Sequence, residues 1–511
     1  MASEADDIAQ AVLDQFRKLP AKRKPAVRDN GLREWVPLSG IVVRGPNFFK
    51  CVALATGMKC LPAAKLSQAN GVAIHDWHAE VLVIRAFNRF LLDECRRLAQ
   101  DPAAESEFLR RRVAAELSPT ISAAEPWHGQ PFAWRDELTL HMYCSEAPCG
   151  DASMELIMSS QEDATPWENP PTFSSPSPSP HHHHHQQQQQ PLQQQQQQQQ
   201  QQGQRPSQEE EAHLLLGRGY FSHLGIVRRK PARADAPPTL SKSCSDKLAL
   251  RQCVSLLSSP TALLVSPRGV YLSTLVLPAS QHVEGACVRC FSGNDGGGGE
   301  SSGGSGSGSD GRIAGRMAPL RGKTWQGTGY EFREMSISAT EREFEYSRRR
   351  ILAAAAAAAA ATGGEEEEAV AKVKLAASNL AVAWTKDGEV DEGLVGGVLQ
   401  GRKAFDLRGA SAASRRRLWS RAAEVAALLG PEHAEIRGAL AKATYGEVKE
   451  SEALEGRRRV KEEVRREALK GWVRNTGDEG FSLVNQAASA VCGRHSLTAR
   501  HRHDRESQQA A

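Results

Sequence analysis

The sequence predicts an α/β (α+β) fold, and three observations carry that prediction. Strand-like and helix-like patterns alternate along the chain instead of falling into separate runs. "EWVPLSGIVVRG" and "FFKCVALATGMKC" read as two β-strands around a Gly-Pro-Asn turn. Directly after them, "DWHAEVLVIRAFNRFLL" sets Val81, Ile84, Phe87 and Leu91 at helical spacing, which gives an amphipathic helix over 76–99. Further on, "ELTLHMYCS" (137–145) alternates like a strand and "GDASMELIMS" opens a helix. "KLALRQCVSLLSS" (247–259) reads as another helix and "GVYLSTLVLP" as another strand. The stretch from about 414 to 471 is arginine-rich and helical in pattern.

Three segments interrupt this alternation. The first, about 159–212, holds "SPSPSPHHHHHQQQQQPLQQQQ" and has too little apolar surface to offset the entropy of ordering. The second, about 292–311, is a Gly/Ser linker by composition. The third, about 353–368, joins a run of alanines to "TGGEEEE"; poly-alanine is helix-competent, so a short exposed helix is expected there. Long surface insertions cost little, because closure entropy grows slowly with loop length. We therefore expect one catalytic domain over 36–490, interrupted three times and followed by a disordered tail at 491–511.

Charge says little about partners. The 511 residues include 64 Lys or Arg against 60 Asp or Glu, a net charge of +4 and a pI near 8.5. That balance suits a polyanion without specifying one. The first residues lack the order of a signal peptide, and no run approaches the ~20 apolar residues that span a bilayer. An intracellular protein, nuclear or cytoplasmic, is expected, with no membrane or DNA partner. In a reducing compartment, cysteines near a histidine point to metal or catalysis more than to disulfides.

One imidazole and two thiolates stand out. His78 is placed at the start of its helix, with Asp76 as the expected N-cap. Cys149 in "APCGDAS" follows a strand and precedes a helix, where exposed N–H groups favour a thiolate. Cys244 in "SKSCSDKLAL" repeats that arrangement. His78, Cys149 and Cys244 would suit tetrahedral zinc with one open position. Glu80, two residues after His78, would then serve as proton shuttle to an activated water, the chemistry of hydrolytic base deamination. Against this stands Cys287-x-x-Cys290, a better zinc spacing in isolation but without a second pair nearby. Buried cysteines are also common as small hydrophobes, and the run His181–His185 offers adventitious metal binding. Cys144 is expected to be structural, and His75 to lie outside the ligand set or at the surface.

"DWHAEVLVIRAF", "PCGDAS" and above all "SCSDKLAL" resemble the editase-type adenosine deaminases, which act on tRNA or on double-stranded RNA. The resemblance implies a cytidine-deaminase-like three-layer core with a mixed sheet and a helical C-terminal extension. It implies one zinc ion on His78, Cys149 and Cys244, with Glu80 as the catalytic proton donor and acceptor. The compact deaminases carry P-C-x-x-C instead, whereas here Cys149 is followed by Gly-Asp-Ala and the third ligand comes about 95 residues later. About 30 residues precede the first strand, too few for a duplex-RNA-binding domain, so the tRNA branch is the better fit. The resemblance then implies tRNA as partner and conversion of adenosine 37 of alanine tRNA to inosine. Editing of other structured RNA or mRNA is the alternative, as is a non-catalytic tRNA-binding protein with structural zinc.

The family also buries inositol hexakisphosphate. Carried over by position, this implies Lys247, Tyr445, Lys449 and Trp472, with Arg85 and one of Arg457–Arg459 as weaker candidates. His75 and the pair Leu250-Arg251 depart from the family pattern at this site. On the substrate side the resemblance implies Lys59 near the RNA backbone, with Thr56 and Asp151 as pocket candidates and Asp246 orienting the third ligand. Arg228-Arg229-Lys230 reads either as a phosphate-contacting run or as a solvated loop.

Overall fold

The computed structural model describes residues 3–117, 127–159, 215–216, 224–230, 236–295, 313–361 and 365–483. Its centre is an eight-stranded mixed sheet. Strands β1 (Leu38–Gly45) and β2 (Phe48–Thr56) form the expected antiparallel hairpin, with a bulge between Ile41 and Val42. β3 (Thr139–Cys144) pairs antiparallel to β1, and β4 (Leu272–Pro278) and β5 (Ser336–Thr340) then add in parallel. On the far side β2 meets β6 (Ala381–Thr385), which continues into β7 (Asp391–Val395) and β8 (Val398–Leu399). The order is β5-β4-β3-β1-β2-β6-β7-β8.

Side-chain alternation along these strands divides the core in two. Val42, Leu54, Tyr143, Val276 and Val382 point to one face, where helix α1 (Glu4–Arg17) lays Ile8, Val12 and Phe16 against them. Ile41, Val43 and Val52 point to the other, toward helix α2 (Ala79–Gln100). The result is three layers, helix on sheet on helix. The packed unit thus begins near Glu4 and not at the expected residue 36. In α1 a capping box between Ser3 and Asp6 secures the start, and Ile8, Val12 and Phe16 recur at a spacing of four.

α2 runs 22 residues and carries the site at its N-terminal end. Its one buried amide, Asn88, is fully used: Nδ2 donates to the carbonyls of Ile84 (2.7 Å) and Leu256 (2.9 Å), and Oδ1 accepts from the Ser258 N–H. This ties α2 to the loop after α3 (Cys244–Val254). α4 (Glu284–Phe291) packs beside α3. The alanine run forms α5 (Arg348–Ala361), a helix with no buried residue. Beyond the sheet, α6 (Arg415–Leu428), α7 (Tyr445–Glu450) and α8 (Glu455–Glu467) make the C-terminal extension. The polyglutamine insertion, the His181–His185 run, most of the Gly/Ser linker and the 491–511 tail lie outside the described residues.

Candidate active site

Three chain segments meet at the N-terminal end of α2. His78 occupies the N-cap position itself, with extended backbone angles (φ −60°, ψ 143°), so the expected N-cap at Asp76 is corrected by two residues. Asp76 does support the turn: its Oδ1 accepts from the His78 N–H at 3.0 Å. The end of β2 approaches closely from below, where the Gly57 carbonyl accepts from the Ala79 N–H at 2.9 Å. Gly57 has φ +143°, and a Cβ there would lie 2.1 Å from the Trp77 carbonyl oxygen, so only glycine fits.

The other two segments close on each other in the same way. Cys149 ends the loop after β3, and Cys244 opens α3 behind the N-cap Ser243. Gly150 (φ +109°) lets them touch, because a Cβ would come 2.4 Å from Ser243 Oγ. The donor atoms of His78, Cys149 and Cys244 all lie within 4.8 Å of one another. Cys149 Sγ is 3.8 Å from His78 Nδ1 and accepts from the Cys244 N–H at 3.4 Å. Ligand atoms around a tetrahedral zinc stand roughly 3.5–3.8 Å apart, so the donor set fits that ion in number, softness and span. Cys287 and Cys290 form no such group among the described residues; Cys290 instead donates to Asp151 at 3.3 Å.

Electrostatics couple the three side chains, and a metal would displace the protons they share. A hydrogen bond from the Cys244 thiol holds Cys149 well below the ordinary thiol range, with Lys230 and His78 adding to it against burial. Burial pushes the Cys244 thiol well up, the mark of a pair sharing one proton. Burial and Lys230 oppose charge on His78, yet the Cys149 thiolate keeps its pKa up at about 10. Glu80, buried in the first turn of α2, has its carboxyl pushed up by burial and by the Cys149 charge, while His78 and Lys230 pull it down. A carboxyl raised in this way holds a proton more readily than a free one, as a group that both takes and gives a proton requires.

Lys230 is the main surprise. The run Arg228-Arg229-Lys230 is not a surface patch: Arg228 and Lys230 are buried. Lys230 Nζ donates to Asp76 Oδ2 at 2.9 Å and to Cys244 Sγ at 3.2 Å. Asp76 Oδ2 also accepts from Ser241 Oγ (2.7 Å) and from Lys247. Burial works against charge on Asp76, but Lys230 and Lys247 hold its carboxyl well below the usual range. Asp76 is thereby committed to orienting its neighbours, although it also lies within 4.8 Å of His78 and Cys60. Cys60, not among the expected site residues, brings its sulfur within 4.8 Å of the His78 ring nitrogen. Asp76→Asn should loosen both His78 and Lys230. We expect zinc affinity to fall about 10–100-fold, measured by competition with a chelator; unchanged chelator resistance would remove Asp76 from this role.

The remaining expected residues divide. Asp246 is fully buried and accepts from Ser243 Oγ (2.6 Å) and Arg316 Nη1 (2.6 Å), which anchors the start of α3. Asp151 is corrected: its carboxylate accepts from Arg289 Nε at 2.8 Å and from the Gly225 N–H at 3.0 Å, so it braces α4 and is not free for a substrate. Thr56 is corrected as well, since its hydroxyl accepts from the Val382 N–H (3.1 Å) within the sheet. Cys144 is structural, accepting from Ser39 Oγ at 3.3 Å. His75 is buried, not superficial, and pairs through Nε2 with Asp478 Oδ2 at 2.7 Å. Lys59 is half-buried and reaches Asn379.

Behind the site lies a concentration of cations. Arg85, Arg251, Arg415, Lys449 and Lys461 come from α2, α3, α6, α7 and α8 and act on one another electrostatically. Burial, then Arg415, lowers Arg85 to about 10; burial, then Arg457, lowers Arg251 to about 9. Lys461 is pushed well below its ordinary value by burial and by Arg457, Arg251, Arg465 and Lys449. Arg85 Nη2, Arg457 Nε and Arg465 Nε are buried without a hydrogen-bond partner. Tyr445 stacks on Phe481 (5.1 Å) under Arg415, and Trp472 lies under Arg465 (5.3 Å). Lys247 faces the Asp76 side, donating to Ser241 Oγ at 2.6 Å. Of the Arg457–Arg459 triplet, Arg457 points inward, to the Val254 carbonyl (2.6 Å) and Tyr330 OH (3.1 Å).

A histidine and two cysteines on converging helix ends, with a glutamate two residues from the histidine, define a metal-dependent deaminase class. Residues 53–292 match the adenosine-deaminase (editase) domain. The chain is 34% identical over 344 residues to the tRNA-specific adenosine deaminase 1 of Schizosaccharomyces pombe, covering 67% of this chain and 69% of that one. It is 28% identical over 279 residues to the Saccharomyces cerevisiae protein of the same name, covering 53% and 58%. Similarity to the double-stranded RNA-specific editase B2 of Rattus norvegicus is 26% over 151 residues, 29% of this chain and 18% of that one. The chain belongs to the editase-type adenosine deaminases, in the family of tRNA-specific adenosine deaminase 1.

Proposed function

We propose that the chain hydrolytically deaminates adenosine to inosine in tRNA, with adenosine 37 of alanine tRNA as the target. The observation that carries this reading is the convergence of His78, Cys149 and Cys244 beside the buried Glu80. A zinc ion on those three side chains would supply Lewis-acid activation of water. Glu80 takes one proton from the attacking water as its oxygen bonds to C6 of the adenine. Glu80 then gives that proton to the amino group, the C6–N bond breaks, and ammonia leaves. Asp76 fixes the backbone turn at His78, and Lys230 stabilises the thiolate of Cys244. A base in an unpaired loop enters such a pocket without the cost of opening a duplex. Lys59, near the end of β2, is the proposed contact to the RNA backbone.

Cys244→Ala tests the metal assignment. It removes one of three donors and leaves Lys230 without its sulfur partner. We expect bound zinc to drop from about one per chain to near zero, with activity lost in parallel, read by elemental analysis and inosine assay. Full zinc occupancy in this variant would place the metal elsewhere.

We further propose that the cation cluster holds inositol hexakisphosphate. Of its five cations Arg415 pairs with Asp478 and Lys449 with Glu479, which leaves an excess of buried positive charge that is costly unless a polyanion neutralises it. Arg85, Lys449, Tyr445 and Trp472, expected for this site, line the cluster together with Arg251, Arg415 and Lys461. Lys247 would link it to Asp76 and so to the metal site. No described helix is long and apolar enough to cross a membrane.

A further inference from the structure

The loop between β3 and Cys149 carries a second carboxyl, Glu146, that the deamination chemistry does not use. Its neighbours are all pinned. The Ser145 N–H donates to the Leu38 carbonyl at 2.8 Å, and Ser145 Oγ accepts from the Leu38 N–H at 2.9 Å. The Ala147 N–H donates to Gln281 Oε1 at 3.2 Å, from the turn that follows β4. Tyr143 OH donates to the Arg342 carbonyl at 3.3 Å, fastening the segment after β5 alongside. Glu146 itself is half-buried and makes no hydrogen bond or ion pair among the described residues.

Three charged groups act on it electrostatically. Glu80 comes from α2, Glu343 from the segment after β5, and Arg348 from the start of α5. Glu343 is already occupied, accepting from Ser280 Oγ at 3.0 Å and pairing with Arg349 at 3.1 Å. Burial, then Glu80 and Glu343, pushes the Glu146 carboxyl up to about 7, with Arg348 opposing. β3, β4 and β5 run parallel and end together here, so Glu146 sits at the carboxyl edge of the sheet, where open α/β folds take their ligands.

A rigidly placed, half-buried carboxyl without a protein partner, three residues from Cys149 and in electrostatic reach of Glu80, is suited to meet the substrate. We propose that Glu146 is a substrate-contacting residue at the mouth of the deamination pocket, hydrogen-bonding the nucleotide that enters with the target adenosine. This rests on the deaminase reading of His78, Cys149, Cys244 and Glu80. Below pH ~7 the neutral carboxyl donates a hydrogen bond to the RNA. Above it, the anion faces phosphate and weakens binding. Glu146 thus sets an alkaline limit on KM, separate from the effect of Glu80 on kcat.

The test compares wild-type, Glu146→Gln and Glu146→Ala full-length proteins on an alanine-tRNA transcript between pH 6 and 8.5. Wild-type KM should rise about fivefold as pH climbs through 7, the effect of one unit charge near a phosphate at a wet rim. Glu146→Gln stays neutral and keeps the hydrogen bond, so its KM should stay flat and low. Glu146→Ala should also be flat, but about fivefold higher at pH 6.5 for want of the hydrogen bond. The proposal is overturned if Glu146→Gln follows the wild-type profile, or if Glu146→Ala has wild-type KM at pH 6.5. Absence of inosine with the wild-type protein would overturn the deaminase reading instead, so the two failures are distinguishable.

Discussion

Glu80→Ala should lower the rate of inosine formation by about 10²–10⁴-fold, the range for loss of a positioned general acid–base. Zinc content and melting temperature should barely change. The separation follows from geometry. Glu80 lies in the first turn of α2, while the three proposed ligands come from the N-cap of α2, the loop after β3 and the start of α3. Its removal leaves every donor of the site in place and takes away a buried carboxyl that costs free energy to bury. Glu80→Gln is the companion variant, since it keeps shape and removes titration. Both should be inactive, and both should keep about one zinc per chain. A variant that kept substantial turnover would remove the shuttle from the mechanism.

The second large effect concerns stability. Protein refolded from denaturant without inositol hexakisphosphate should be poorly folded, and addition of the polyphosphate should raise its melting temperature. A ligand at 1,000 times its Kd contributes about 4 kcal/mol, which for a chain of this size is roughly 5–10 °C. Lys461→Met separates a polyanion site from a merely crowded one. Lys461 has no hydrogen-bond or ion-pair partner among the described residues and is surrounded by Arg457, Arg251, Arg465 and Lys449. Without the ligand, Lys461→Met should stabilise the protein by relieving like-charge repulsion. With the ligand, the variant should gain less than wild type. Equal ligand-induced shifts in both would exclude Lys461 from the site.

The candidate ligand set was legible because each member sits in a local pattern: H-A-E at a helix start, and two cysteines ahead of helices with small polar flanks. The editase resemblance added order and identity. What the sequence hid were groups whose role depends on distant segments. Lys230 looked like one of three surface cations, yet Asp76 and Cys244 draw it into the core. Lys461 lies in a helix with six Lys or Arg among residues 455–467, a pattern that suggests a solvated face. Only the packing of α8 against α3 turns part of it inward. Asp151 and Thr56 failed as pocket residues for the converse reason, since Arg289 and the Val382 amide claim them. Helix α1 was missed because its four acidic residues mask the spacing of Ile8, Val12 and Phe16.

The most direct measurement is sequencing of an alanine-tRNA transcript after incubation with zinc-loaded wild-type protein and, in parallel, with Glu80→Ala. Inosine at position 37 with the wild type alone is the expected result, and it would join substrate, position and shuttle in one experiment. No inosine from folded, zinc-loaded wild-type protein, or equal inosine from both proteins, would contradict the account.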